Sequence, residues 1–258
     1  MNIQSLAHAL FANFIYIGSR YFIVAGAIFL LFYVFLKRAI IARKIQQKFP
    51  KLKDYRRDIF YSLISIGIFS VVSYITFATL APYHHLYANI DDYGLVYFLF
   101  TFIWMFFLHD TYFYWSHRLM HHPKLYKHVH LIHHRANNPT PWSAYAFHPA
   151  EAVVETGIVT VIAFLIPVHY AAINMYMLFQ IGYNVYGHLG YEILPANTNR
   201  HWLGRWINTA VAHNMHHQHF RHNYSLWTTI WDRLMGTLDP KYDAAFDQAT
   251  LAKSLRGD

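Results

Sequence analysis

Three apolar runs in the first half of the chain, at residues 21–36, 59–81 and 93–108, fix what it can fold into. Inside a bilayer no water is present to satisfy backbone N–H and C=O groups, so such runs must be helical. A spanning helix takes about 20 apolar residues. The first run has 16 and needs its flanks to reach that length. It ends at Lys37-Arg38, and the second stops at Pro82. A further pair, 152–166 and 171–186, is broken at Pro167, and so short a turn implies a hairpin that enters and returns. Residues 1–19 lack the basic start and small-residue cleavage site of a signal peptide and are expected to form an interfacial helix. The expected fold is all-α: a multi-pass membrane protein with about four or five membrane helices and a histidine-rich helical cap. Residues 1–108 would be the N-terminal membrane helices. Residues 109–239 would be the histidine-cluster region, including the hairpin at about 152–186, and 240–258 a polar peripheral tail. All three form one structural unit.

Loop charge sets the orientation. Nine of the 21 Lys and Arg fall between Lys37 and Arg57, whereas 82–92 holds Asp91 and Asp92 and no base. By the positive-inside rule the first loop is cytoplasmic and the second lies outside. The third helix then returns to the cytoplasm where the histidines begin. The formal charge of +8 suggests nucleic acid, but a basic segment beside a membrane helix is better explained by anionic lipid, and no nucleic acid is expected. Only 13% of residues are charged, against about 25% in soluble domains. With no cysteine, disulfides, thiolate metal sites and thiol catalysis are excluded.

Seventeen of the 20 histidines lie between His109 and His222. Imidazole is costly to bury unless something binds it. His117 and His121 stand at i and i+4 and share a helix face. His130, His133 and His134 follow at i, i+3, i+4, and His213, His216 and His217 repeat that spacing. His188 sits where the hairpin ends. Nine rings exceed the four ligands of a structural zinc site, whereas two metals with four or five each would use them. Imidazole suits iron, zinc and copper alike. No HExxH is present to support a zinc protease. Two irons would store the electrons needed to split O2 and attack an unactivated C–H bond of a lipid arriving from the bilayer.

His148, in AFHPAE, reads as a metal ligand, a second support for one, or a loop residue bonded to backbone. Asp110, the candidate catalytic residue, lies two turns before His117. It is placed either to accept the far N–H of a ligand ring or to close the third helix toward water. Glu151 and Glu155 are candidates for the same supporting role. Trp231, Asp232 and Arg233 read as local packing and pairing. His8, His84, His85, His169 and His201 lie away from the groups and read as ordinary polar positions.

The segments DTYFYWSHRLMHH, KHVHLIHH, AFHPAE, GHLGYE, HNMHH and NYSLWTTIWDRLMGT, in that order, resemble the fatty acid hydroxylase superfamily of sterol desaturases, sterol C4-methyl oxidases and sphingolipid hydroxylases. The resemblance covers Asp110 to Thr237. It implies a cytoplasm-facing non-haem diiron site, O2 as oxidant and electrons ultimately from NAD(P)H. The implied ligands are His117, His121, His130, His133, His134, His188, His213, His216 and His217. Some members carry another histidine where this chain has Asn184, and His148 is one replacement. Relatives often have Asn-Tyr-Gly where this chain has Asn223-Tyr224-Ser225. The chain has no room for a fused cytochrome b5-like domain, so a separate cytochrome b5-like or ferredoxin-like donor is expected. Zinc is the ion expected to replace iron on purification. A membrane metal-binding or metal-transport protein is the alternative, but transport predicts polar residues within the spans, and 21–36 and 59–81 contain no Lys, Arg, Asp, Glu or His.

Overall fold

A computed structural model describes residues 3–251. Among the described residues, three helices are long and apolar enough to cross a membrane: α1 (Ile3–Phe35), α2 (Leu52–Thr79) and α3 (Gly94–Met120). α1 runs unbroken through the segment expected to lie flat at the interface, so that expectation is corrected: the described part of 1–19 is the first half of α1. Nothing in Ile3–Phe29 breaks a helix, since the stretch has no proline and Gly18 is buried against α2. α3 likewise continues past Leu108 to carry Asp110 and His117 on the same rod.

After α3 come two short helices, α4 (Pro123–Val129) and α5 (Leu131–His134). The hairpin follows as α6 (Pro149–Leu165) and α7 (Tyr170–Gly187). α6, of 17 residues, is about 25 Å long. The strands β1 (Leu86–Tyr87) and β2 (Val168–His169) pair in parallel, which ties the α2–α3 connection to the hairpin tip. The tip therefore lies at the end of the bundle opposite the histidines. The chain closes with α8 (Ala210–His219), α9 (Ile230–Leu234) and α10 (Tyr242–Leu251).

One core joins α1, α2, α6 and α7 through Tyr21, Ile66, Phe69, Ala152 and Ile181. A second packs Met105 of α3 against Ile158, Ile162, Ile173 and Trp227. The outer faces stay apolar: Val96, Phe100, Ile103 and Phe107 form an exposed stripe on α3, which only lipid can cover. The end of the chain departs from expectation. Tyr242, Phe246 and Ala249 of α10 are buried against Val211, Ala212 and Met215 of α8. Residues 242–251 are thus part of the scaffold and not a peripheral tail, because a helix with an apolar face packs it. Residues 252–258 lie outside the described region.

The basic loop is fastened to the histidine-bearing segments. Arg43 donates to the Glu192 and Leu194 carbonyls, and Gln46 donates to the Asn137 carbonyl and to Asn214 Oδ1. Gly190 sits at this junction with φ +73°, and a Cβ there would lie 2.6 Å from the Tyr33 hydroxyl. Gly190→Ala is expected to destabilise the protein by about 1–3 kcal/mol, read as a lower melting temperature in detergent with loss of bound metal. The links also make a topological expectation. In sealed vesicles, cysteines introduced at Asn89 and at Lys48 should label from opposite faces, and labelling from one face would refute this arrangement.

Candidate metal centre

The rings arrive from four places. α3 brings His117 in its last turn and His121 at its C-cap. α4 and α5 fold back so that His130, His133 and His134 face them. His188 is the C-cap of α7. α8 begins when the Thr209 hydroxyl accepts from the Ala212 amide, and it presents His213, His216 and His217. Phe220, in the left-handed region at φ 64°, ends α8 directly after them.

The nine rings divide into two groups. His117, His121, His130, His134 and His216 form one, and His133, His188, His213 and His217 the other, with ligand atoms within 4.8 Å of one another in each. In the first group Nε2 atoms stand 3.0 Å apart for His117–His130, His134–His130 and His134–His121, and 3.1 Å for His216–His134 and His121–His216. In the second they stand 3.1 Å apart for His213–His188, 3.2 Å for His217–His213 and 3.3 Å for His188–His133. Donors held about 2.0–2.1 Å from one ion are separated by about this much.

The far nitrogens explain why the near ones face inward. His117 Nδ1 lies 2.8 Å from the Tyr224 carbonyl, His188 Nδ1 2.8 Å from the Asn184 carbonyl and His216 Nδ1 2.6 Å from the His222 carbonyl. A carbonyl only accepts, so these Nδ1 atoms carry the hydrogen and each Nε2 offers a lone pair. His130 Nδ1 instead lies 2.6 Å from Glu151 Oε1. Burial, followed by the neighbouring rings, holds His130, His133, His134, His213 and His217 well below the ordinary imidazole pKa. These rings are therefore neutral, the form in which imidazole binds a metal. Lone pairs packed against lone pairs repel one another, and a cation in each group removes the repulsion. The residues present fit two metal ions.

Two sequence-based assignments are corrected. His148 joins neither group. Its Nδ1 accepts from the Ala150 amide, making it the N-cap of α6 with Pro149 at the first helical position. Asp110 touches no histidine. It accepts from the Trp227 and Thr228 amides at 2.8 and 3.2 Å and from the Thr228 hydroxyl at 2.6 Å. The i, i+7 offset placed it on the face of His117, yet its carboxylate reaches sideways to the 224–229 segment.

Three acidic residues form the actual support. Glu151 contacts His130. Asp232 accepts from the Tyr224 and Ser225 amides and so fixes the carbonyl that holds His117. Glu192 accepts from the Val211 amide at 3.1 Å and the Tyr186 hydroxyl at 3.1 Å, which seats the start of α8. Glu192 was not singled out in the sequence, although its place at the end of GHLGYE was the available signal. Of the outlying histidines, His84 accepts from the Leu86 amide, and His169 accepts from the Ala171 amide and contacts the Ala88 carbonyl, both at the opposite end of the bundle.

Beneath the histidines lies a cavity of about 310 Å³ between α1, α2, α6 and α7. Ile17, Phe69, Phe77, Ile158 and Met177 wall it. Phe147 closes its inner end and sets its ring 5.0 Å from that of His133.

Fold and site together define a membrane-embedded helical protein with a polyhistidine metal centre above an apolar cavity. The fatty acid hydroxylase family model matches residues 102–237. Among relatives, a Delta(7)-sterol 5(6)-desaturase of Gibberella zeae is 31% identical over 93% of this chain and 73% of its own length. Lathosterol oxidase of Rattus norvegicus is 30% identical over 74% of this chain and 62% of its own. A Delta(7)-sterol 5(6)-desaturase of Schizosaccharomyces pombe is 33% identical over 66% and 54%. No solved structure matches the chain. The chain belongs to the fatty acid hydroxylase family and is a membrane oxidoreductase acting on lipids.

Two expectations follow from the geometry. Anaerobically purified protein should hold two metal ions per chain, and a count of one or none in folded protein would refute the two-group arrangement. At matched protein levels, His134→Ala and His217→Ala should abolish oxidation, while His84→Ala and His169→Ala leave it nearly normal. Asp110→Ala should act differently, because it orphans two buried amides at about 1–3 kcal/mol each: the melting temperature falls first, and activity follows the loss of folded protein.

Proposed function

We propose that the chain uses two iron ions and O2 to desaturate a sterol-like lipid, with electrons delivered on the cytoplasmic face by a separate protein that is reduced ultimately from NAD(P)H. The observation that carries this reading is the stack of two neutral polyhistidine groups on an apolar cavity, sharing the wall at Phe147 and His133. The relatives' names supply the substrate class. The link from the basic loop to the histidine segments supports the cytoplasmic assignment, since whichever side holds Arg43 and Gln46 also holds the rings.

The two histidine groups would hold the iron pair, which would supply the O2-dependent oxidising chemistry. In balance, the lipid loses two hydrogens and gains a double bond, the donor supplies two electrons with two protons, and O2 leaves as two waters. The chain's own contribution is positional. Backbone carbonyls at Tyr224, Asn184 and His222 hold three rings with Nε2 inward, and Glu151 holds a fourth. Phe147 and Tyr145 keep the cavity end dry, which spares a reactive oxidant from water. Apolar walls leave the lipid's position to shape and to the few polar groups present.

The test is the lipid extract of cells with and without the protein, read by mass spectrometry. A sterol lighter by two hydrogens that is absent with His134→Ala is the expected result. A lipid heavier by one oxygen would show that the same centre hydroxylates. An unchanged lipid profile with altered metal uptake would overturn the enzyme reading in favour of transport.

A further inference from the structure

Glu155 is a cavity-lining carboxyl group with no role in holding the histidines. Resting on the lipid-oxidase reading, we propose that Glu155 anchors a hydroxyl group of the substrate, so that the lipid enters the cavity alcohol end first.

Glu155 lies one helical turn beyond Glu151 on α6, so the two share a face. Glu151 touches His130, which puts Glu155 within about a turn of the metal centre. It lines the mostly apolar cavity, and it forms no hydrogen bond or ion pair among the described residues. Its neighbour Tyr112 does not serve it, because the Tyr112 hydroxyl donates to the Val154 carbonyl at 2.7 Å. A carboxyl group in apolar surroundings is costly without a hydrogen-bond partner, and the cavity's occupant is the group left to provide one.

The nature of that occupant follows from the rest of the lining. His109 also lines the cavity, and its Nδ1 stands 3.1 Å from the Tyr176 hydroxyl. That hydroxyl donates its own hydrogen to the Met105 carbonyl, so it accepts from His109 and leaves His109 Nε2 as an acceptor. The guanidinium of Arg20 belongs to the outer part of the cavity and is engaged by the Tyr16 hydroxyl at 3.3 Å and the Asn174 carbonyl at 2.9 Å. His109 Nε2 accepts, and the Glu155 carboxyl accepts and, when it carries a proton, also donates. A carboxylate or ester head brings no hydrogen for His109, whereas an alcohol both donates and accepts and so pairs with either group. Carbons a few bonds from that hydroxyl then lie beside Phe147 and His133, so oxidation falls near the alcohol and the tail extends toward Tyr16 and Asn174.

Metal-loaded protein in nanodiscs is tested by equilibrium binding of tritiated probes in matched pairs: lathosterol with its 3-deoxy counterpart, and hexadecanol with hexadecane. A site built around a substrate hydroxyl discriminates strongly against an analogue lacking it. Wild type should bind the alcohol of at least one pair tenfold or more tighter, and Glu155→Leu should erase that preference. Glu155→Gln should keep most of it, because its amide both donates and accepts. This second variant tests the anchor even if the leucine variant fails to fold. Equal binding within both pairs, or a preference that survives Glu155→Leu, would overturn the proposal. So would a preference lost with Arg20→Ala but not with either Glu155 variant. Preference in the hexadecanol pair alone, lost with Glu155→Leu, would keep the anchor and reject the sterol class.

Discussion

Nine imidazoles whose Nε2 atoms stand 3.0–3.3 Å from their neighbours form an arrangement that a protein cannot hold cheaply without a cation. Three of them have Nδ1 hydrogens committed to backbone carbonyls, so their lone pairs are aimed at one another by construction. Much of the surrounding structure serves to resist that repulsion. Glu192 seats α8, Asp232 and Asp110 hold the 224–229 segment, and Gly190 lets the hairpin exit pass under Tyr33. Each is a buried or backbone-level device far too specific for a generic bundle. Binding energy from the metal is then also folding energy, and the scaffold and its ions stabilise each other.

The choice of carbonyls over carboxylates as ring partners has a consequence. A carbonyl fixes the tautomer without adding formal charge, so the three rings it holds remain neutral donors. Only His130 has a carboxylate against it. The two groups are unequal in number as well, five rings against four. An ion that accepts six neighbours has more room in the four-ring group, and that group contains His133, the ring against Phe147 at the end of the cavity. The geometry thus sets the less crowded group beside the cavity.

Much of this was legible in the sequence because two periodicities do not interfere. Apolar runs mark helices regardless of partners, and i, i+3, i+4 histidines mark faces whatever those faces meet. The nine rings that the spacing and the resemblance picked out are the nine that converge. What failed was direction at single side chains. His148 was weighed as a ligand, yet His-Pro at a helix start is also the pattern of a cap, and His122-Pro123 repeats it with His122 accepting from the Lys124 amide. Asp110 shared a face with His117 but found its partners 117 and 118 residues away, in a segment whose path no local pattern reveals. The same limit applies to α10, whose apolar face is short and whose partner, α8, is itself mostly histidine and small residues.

In the proposed reaction lipid and electrons reach the histidine groups from different solvents, and the chain separates the two approaches by depth. The cavity opens among α1, α2, α6 and α7, elements whose outer faces are apolar, so its natural entrant comes sideways from the bilayer. On the other side of the rings lies the water-facing cap. There His121 is the one member of the nine that is not fully buried, and α4 carries Lys124 and Lys127 while the segment after α8 carries Arg221. Phe147 is the dividing wall. An aromatic ring at that position excludes water from the lipid side while presenting only apolar surface to the substrate. The histidine centre is therefore neither a pocket in a soluble cap nor a site within the bilayer. It forms the floor of one compartment and the ceiling of the other, which is what the proposed reaction needs, with its reductant on the water side and its substrate on the lipid side.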